Sequence, residues 1–77
     1  MIRGEIWDRP NGRYLAYIDD SDNLISTKTG ATIGTHKDGK LYNLDNDLIG
    51  ALVPISSSQT SVEGQALDRL ERSAGWS

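Results

Sequence analysis

A phrase that occurs three times before residue 51 constrains the fold of this chain more than any other feature. Each copy contains a pivot residue that tolerates positive φ, and the pivots are Gly12, Gly30 and Asn46. Three residues after each pivot comes an aliphatic residue, which is followed directly by Ala or Gly. These pairs are Leu15-Ala16, Ile33-Gly34 and Ile49-Gly50. Pivots that lie eighteen and sixteen residues apart are typical of consecutive β-hairpins.

Turn signals between the copies complete a pattern of six strands. Residues 19–23 and 37–40 are rich in Asp, Asn and Gly, which favour chain reversal. Before residue 55, no segment of eleven residues keeps its apolar positions at a 3.6-residue period, so no helix is expected there. The predicted strands lie near residues 4–8, 13–18, 23–27, 32–36, 40–44 and 48–53.

The small residue that closes each copy has two interpretations. If the hairpins converge on a common axis, the residue nearest that axis has no room for a side chain. Alternatively, Gly34 and Gly50 mark β-bulges. The first interpretation predicts a mainly β fold, in which three to four repeated β-hairpins form a compact pseudo-symmetric array with one C-terminal α-helix. A fourth hairpin would require residues 1–5 and 51–55 to combine.

The repeat resembles that of small bacterial β-hairpin-repeat proteins described as four-fold β-flowers. The resemblance covers about residues 4–53, in the segments IWDRPNGRYLA, ISTKTGATIG and LYNLDNDLIG. It departs from the pattern at Ala16 and Asn46, which replace glycines, and at Ser26, where an aromatic residue is expected. The resemblance implies β-hairpin petals around a pseudo-four-fold axis. It implies no activity and no binding residue for this chain.

The composition changes after Pro54, which suggests three segments. Residues 1–55 are predicted to form the β-hairpin repeat domain. The serine-rich residues 56–60 have the composition of a linker. Residues 61–77 are predicted to form an amphipathic helix and a short tail.

The helix is expected at about residues 61–73. Thr60 and Glu63 have the spacing of a capping box, and apolar residues recur every four positions from Val62. A helix of this length is marginal alone in water, so it should dock on its own sheet, on a second copy or on another partner, and the remaining alternative is disorder. Trp76 would then either clasp the sheet or form an exposed anchor.

Composition excludes several classes of function. The net charge is −3 and the basic residues are scattered, which argues against a nucleic-acid partner. Cysteine is absent, so disulfides and thiolate metal sites are excluded, and a cytoplasmic location is expected. We expect no membrane partner, because no stretch approaches the ~18 apolar residues that a membrane-crossing helix requires. Residues 1–5 do not start an apolar run, so no signal peptide is predicted.

Three patterns suggest chemistry but fit turns better. Residues 34–40 match most of a phosphate-binding loop, yet Leu41 stands where a hydroxyl residue is required, and no helix is predicted to follow. The Asp and Asn clusters near residues 20–23 and 45–47 lack calcium-loop spacing. His36, the single histidine, has no evident catalytic or metal-binding companions. We therefore predict no enzyme activity, no cofactor and no metal site.

Two functions from different classes remain. The first is a protein-interaction or self-association module without catalytic activity, whose partner is another protein or a second copy of the chain. The alternative is a small-ligand-binding β domain with an aromatic-lined pocket near Trp7 and Tyr42. The candidate interaction surface comprises Trp7, Tyr14, Tyr42, Val62, Leu67, Leu70 and Trp76.

Overall fold

The computed structural model of the protein describes residues 2–57 and 59–76. Within these residues, eight strands precede a single helix, so the prediction of a mainly β fold with one C-terminal helix is confirmed. All six predicted strands form, and their ends lie within two residues of the expected positions. The elements are β1 (Gly4–Asp8), β2 (Arg13–Ile18), β3 (Asn23–Ser26), β4 (Thr32–Lys37), β5 (Lys40–Asn43), β6 (Leu48–Ala51), β7 (Val53–Pro54), β8 (Gln59–Ser61) and α1 (Gln65–Ser73).

The strands form one sheet in the order β6-β5-β4-β3-β2-β1-β8-β7. The first six strands along the chain pair antiparallel with their neighbours, whereas β8 runs parallel to β1. The two end strands of this order, β6 and β7, are separated along the chain only by Leu52. The ends of the sheet therefore lie next to each other, and the sheet curves into a nearly closed barrel. The Leu52 amide donates a hydrogen bond of 2.7 Å to the carbonyl oxygen of Gly39, which fixes this connection.

Each hairpin of the repeat, namely β1–β2, β3–β4 and β5–β6, contains a β-bulge at the same place. In β1–β2 the register shift leaves Leu15 as an extra residue, and equivalent shifts leave Ile33 in β3–β4 and Ile49 in β5–β6. All three bulged residues are buried. The β-bulge interpretation therefore accounts for the recurring pair of an aliphatic and a small residue.

The two glycines that follow bulged residues are required by different neighbours. A Cβ atom at Gly34 would overlap the carbonyl oxygen of Tyr42 on the adjacent strand. A Cβ atom at Gly50 would instead overlap the Cβ atom of Ala66 in α1. Because each close approach is local, the structure does not confirm the predicted common axis or a pseudo-symmetric array.

The pivot residues adopt the predicted left-handed conformation. The φ angles are 66° at Gly12, 74° at Gly30 and 69° at Asn46. Asn46 carries a Cβ atom in this region, which asparagine tolerates better than most residues. The turn geometry of the repeat could thus be predicted from local sterics alone.

The register places one polar residue at the end of the first strand in every hairpin. Asp8, Ser26 and Asn43 are equivalent, because each lies two positions after the residue that opposes Ala or Gly. Each of these side chains accepts hydrogen bonds from backbone amides of the following turn. In the sequence, alignment of the three copies matches Ser26 with the aromatic residues Trp7 and Tyr42. The strand register instead matches it with Asp8 and Asn43, one residue further along.

The barrel interior is filled by aliphatic side chains. Ile6, Leu15, Leu24 and Leu41 are completely buried. The helix adds Leu70, which is also fully buried, so α1 packs on its own sheet, the first of the three docking positions considered.

The segment before the helix differs from the prediction. Residues 59 and 60 of the predicted linker belong to β8, and the Thr60 hydroxyl donates a hydrogen bond of 2.7 Å to the Glu5 carbonyl oxygen. The capping-box prediction is therefore wrong: α1 begins at Gln65, after Gly64, with no side-chain cap. Ser58 of the predicted linker and the terminal residues Met1 and Ser77 of the predicted segments lie outside the described residues.

The fourth hairpin that the sequence left open does not form among the described residues. Strand β8 lies between β1 and β7, so Glu5 and Ile6 on one side and residues 53–54 on the other pair with β8 rather than with each other. The parallel pairing of β8 with β1 has no hairpin signature in the sequence, because a parallel pair needs a long connection.

We expect Gly34→Ala to lower the free energy of unfolding by about 3 kcal/mol, because the added methyl group overlaps a backbone oxygen that cannot move freely. Urea denaturation of both proteins measures this difference. Gly4→Ala is the matched control, since its Cβ atom would lie 3.7 Å from Ile18 Cδ1, an ordinary contact. The control should change stability by no more than about 0.5 kcal/mol. Equal effects of the two substitutions would contradict the explanation given for Gly34.

Candidate binding cleft

A cleft of about 530 Å³ lies where three parts of the chain meet. One wall comes from the β1–β2 turn, the second from the β7–β8 hairpin, and the third from the segment that leads into α1. We call this region the binding cleft. Its lining residues are Arg9, Pro10, Val53, Ile55, Ser61, Val62, Glu63, Gly64 and Leu67.

Hydrogen bonds hold the β7–β8 wall in place. The amides of Ile55 and Ser56 both donate to the carbonyl oxygen of Gln59, at 2.9 and 3.1 Å, and this closes the hairpin. The Ser61 hydroxyl donates to the Trp7 carbonyl oxygen at 2.6 Å, which joins β8 to β1. The cleft wall is therefore supported by the barrel, although β7 has only two residues.

The wall formed by α1 depends on Gly64. This residue has a φ of 61°, a conformation that glycine adopts without steric cost. Its carbonyl oxygen accepts a hydrogen bond of 3.2 Å from the Leu67 amide, which starts the helix. The Leu67 side chain consequently lines the cleft while it also packs against the core.

The cleft offers apolar contact with charge at its rim. Val53, Ile55 and Leu67 are half-buried, so apolar surface remains accessible on the walls formed by the β7–β8 hairpin and by α1. Arg9 and Glu63 are exposed and carry opposite charges. Such a site can bury an apolar group while the rim charges orient its polar neighbours.

Among the residues predicted to form an interaction surface, only Val62 and Leu67 line the cleft. Val62 is 2% exposed and Leu70 is fully buried, so both serve mainly as core. Tyr42 is half-buried on β5, opposite Thr35 of β4. The structure therefore does not bring the predicted set together at one place.

Trp7 and Tyr14 form a separate aromatic pair. Their rings stack with centroids 5.1 Å apart and an interplanar angle of 11°. The Trp7 indole N–H donates to a carboxylate oxygen of Glu5 at 3.1 Å. Burial, followed by the negative charge of Glu5, raises the pKa of Tyr14 above its ordinary value. The Tyr14 hydroxyl is inaccessible and has no hydrogen-bond partner among the described residues.

Trp76 packs against the barrel and does not form an exposed anchor. The Lys28 Nζ atom lies 5.0 Å from the centre of its ring, and the Arg13 guanidinium lies 5.8 Å away. Its backbone amide donates to the Glu71 carbonyl oxygen at 2.8 Å. Nearby, the buried Ser26 hydroxyl donates to the Ala74 carbonyl oxygen at 2.7 Å. The end of α1 is thus tied to the β3–β4 hairpin.

Asp8 on β1 and Glu71 on α1 affect each other's pKa. Burial pushes the pKa of Asp8 upward, but hydrogen bonds with Asn11 and Glu71 and attraction to Arg13 outweigh it, so the pKa lies below its ordinary value. The hydrogen bond with Asp8, followed by burial and by repulsion from the Asp8 charge, raises the pKa of Glu71. The pair is therefore most favourable when Asp8 is ionised and Glu71 is protonated.

The His36 side chain stabilises the turn between β4 and β5. Its Nδ1 atom lies 3.3 Å from a carboxylate oxygen of Asp22, which also accepts a hydrogen bond of 2.8 Å from Arg3. Its Nε2 atom accepts a hydrogen bond of 3.1 Å from the Gly39 amide. Residues 34–40, which resemble a phosphate-binding loop in sequence, form β4 and this turn.

The turns that contain the Asp and Asn clusters are stabilised by polar side chains just before each cluster. One Asp19 oxygen accepts hydrogen bonds of 2.9 Å from the amides of Ser21 and Asn23, and Asn43 does the same in the β5–β6 turn. Among residues 2–57 and 59–76, no group of three or more His, Asp or Glu side chains could hold a metal ion.

Most cleft residues could not be identified from the sequence. Arg9 and Pro10 lie far along the chain from residues 53–55 and 61–67, and only the pairing of β8 with β1 brings these segments together. A usable signal is the apolar pair Val53 and Ile55 on either side of Pro54, at the end of the repeat.

We expect Ser26→Ala to lower the free energy of unfolding by about 1–3 kcal/mol, because the Ala74 carbonyl and two turn amides lose their partner in a buried position. Chemical denaturation measures the loss. Trp76 emission should also shift to longer wavelength. Ser73→Ala, at an exposed position of α1, is the control and should leave both quantities nearly unchanged. If the two variants behave alike, Ser26 does not hold the end of the helix.

Comparison of the chain with protein-family models, with curated proteins and with solved structures gives no match. In the part of the chain that the structure describes, no helix is long and apolar enough to cross a membrane.

Proposed function

We propose that the chain is a non-catalytic interaction module that takes an apolar side chain of a protein partner into the binding cleft. The observation that supports this most directly is the position of the cleft, between three walls that the barrel and α1 hold in place. A preformed site reduces the entropic cost of binding, because few groups must be ordered when the partner arrives.

The chemistry of the walls favours an aliphatic or aromatic group. Val53 and Ile55 present apolar surface from the β7–β8 hairpin, and Leu67 presents it from α1. Complete burial of a leucine or phenylalanine side chain contributes about 1.5–3 kcal/mol. Arg9 and Glu63 at the rim can pair with charged residues on either side of that group in the partner.

Strand addition is a poor alternative at this position. The edge strand β7 has only two residues, and Pro54 has no amide hydrogen to donate to an added strand. Side-chain insertion, rather than extension of the sheet, therefore fits the site best.

A small apolar ligand is the second candidate, because clefts that bind small molecules typically measure about 300–1,000 Å³. The cleft of about 530 Å³ falls within that range. It differs from the aromatic-lined pocket expected from the sequence, since neither Trp7 nor Tyr42 contributes to its lining. The resemblance to β-flower proteins stays a prediction and supports neither function.

Selection of random peptides on the intact protein tests the proposal. We expect enriched peptides to share one large apolar residue and to shift the amide resonances of Val53, Ile55 and Leu67 in the ¹⁵N-labelled chain. Leu67→Asp and Ile55→Asp should each weaken peptide binding at least tenfold, or about 1.4 kcal/mol.

Leu48→Asp is the matched control. This leucine is 51% exposed on β6 and lies outside the cleft, so its substitution should leave peptide affinity unchanged. Circular dichroism verifies that each variant folds. Peptides that bind equally well to the Leu67 and Leu48 variants would place the interaction elsewhere. Resonance shifts in the cleft with apolar fragments but not with peptides would favour the small-ligand function.

A further inference from the structure

We infer that the face formed by the β5–β6 turn and α1 binds the same face of a second copy of the chain, so that the protein forms a weak dimer with two-fold symmetry. We call this region the hairpin–helix face. It consists of two leucines, two carboxylates and two arginines, all of them exposed: Leu44, Asp45, Asp47, Leu48, Arg69 and Arg72. The face shares no lining residue with the binding cleft.

Two of the three large hydrophobic side chains that are exposed among the described residues lie on this face. Leu44 is 70% exposed and Leu48 is 51% exposed, whereas the third, Ile2, precedes β1. The position equivalent to Leu44 in the other two hairpins of the repeat holds Arg9 or Thr27. The repeat therefore does not require an apolar residue at this exposed position, and neighbouring exposed leucines favour contact with another molecule.

Each leucine borders a hollow between the hairpin and α1. Leu44 lines a hollow of about 310 Å³, and Leu48 lines a second hollow of about 370 Å³. Asn43 and Ser73 line both hollows, so the two adjoin. The face thus presents projecting leucines and recesses side by side, and a two-fold axis can place the leucines of each copy over the recesses of the other.

The turn that carries the leucines is held in place by hydrogen bonds. The side-chain oxygen of Asn43 accepts from the amides of Asp45 and Asp47, both at 2.9 Å, and the Asn43 amide donates to the Asp47 carbonyl oxygen at 2.9 Å. The helix is held on the barrel by Leu70, which is fully buried. Both parts of the face are therefore ordered before association, which reduces the entropic cost of dimer formation.

The charges of the face also favour a second copy of the chain. Asp45 and Asp47 lie in the turn, whereas Arg69 and Arg72 lie on α1, and none of these four side chains forms an ion pair among the described residues. Rotation by 180° about an axis between the turn and α1 brings the carboxylates of one copy opposite the arginines of the other. A strongly acidic or basic partner would instead meet like charges on half of the face.

Sedimentation equilibrium of the intact chain tests the dimer. We expect the average mass to rise with concentration from 8.4 kDa towards that of a dimer, with a Kd on the order of 100 μM, because small interfaces are typically transient. Leu48→Asp should weaken association at least about tenfold, since it places a carboxylate within the contact. Ile2→Asp is the matched control and should leave the Kd unchanged, because Ile2 is 50% exposed but lies at the end of the strands opposite to the β5–β6 turn.

Reversal of the charges tests the symmetry of the contact. One variant carries Arg69→Glu and Arg72→Glu, and the other carries Asp45→Arg and Asp47→Arg. Each variant alone should dimerise at least about tenfold more weakly than the wild type, because like charges then face each other. An equimolar mixture of the two should form heterodimers at least as readily as the wild type forms homodimers. Circular dichroism verifies that each variant folds.

A wild type that stays monomeric well above the expected Kd would overturn the dimer, as would assemblies that grow beyond two copies. Equal association of the Leu48 and Ile2 variants, or charge variants that stay monomeric when mixed, would also overturn it. None of these results would affect peptide selection on the binding cleft. Conversely, a dimer that behaves as described, in a protein that selects no peptide, would refute the proposed function and leave the dimer intact.

Discussion

The β-bulges in the three hairpins of the repeat, β1–β2, β3–β4 and β5–β6, determine much of the remaining structure. A β-bulge bends its strand and increases the local twist, so a bulge in every hairpin gives a short sheet strong curvature. The bulged residues Leu15, Ile33 and Ile49 are all buried, which shows that the bulges direct aliphatic side chains inward. This curvature allows strands of only four to six residues, β1 to β6, to surround a core. It also brings β6 and β7, the two ends of the sheet, to positions that Leu52 alone can connect.

A barrel of this size buries a smaller fraction of its surface than a larger domain does, so additional packing contributes strongly to its stability. The helix supplies them through Leu70 and Ala74, which are both fully buried. Gly50, the residue after the third bulge, has no side chain and so permits the close approach of Ala66. The third bulge therefore bends the sheet at Ile49, and the next residue, Gly50, leaves room for the helix. This explains why a short helix with no side-chain cap is stable here: its tertiary contacts replace the missing local ones.

The limits of sequence-based prediction follow from this division between local and distant interactions. The turns at Gly12 and Gly30 could be predicted because the tolerance of positive φ depends on the residue itself. Once the turns were placed, the six strands could be predicted as the segments between them. Strand β8 could not, because Gln59–Ser61 shows no apolar alternation and forms through hydroxyl contacts with carbonyl oxygens of β1. The capping-box pattern at Thr60 was misleading because the Thr60 hydroxyl donates a hydrogen bond to the Glu5 carbonyl oxygen of β1 and so does not cap the helix. The cleft was missed because its walls come from segments that only β8 brings together.

The position of the cleft is a consequence of how the barrel closes. Because β7 bends away from β6 to pair with β8, and β8 runs parallel to β1, the chain must then turn at Gly64 to place α1 over the core. The space between these last elements is not filled by the repeat, whose side chains already occupy the interior. A partner group that enters it contacts β7, β8 and α1 at once, so binding would add contacts between α1 and the β7–β8 hairpin. A group bound in the cleft should therefore favour the docked position of α1, because Leu67 of α1 forms part of the lining.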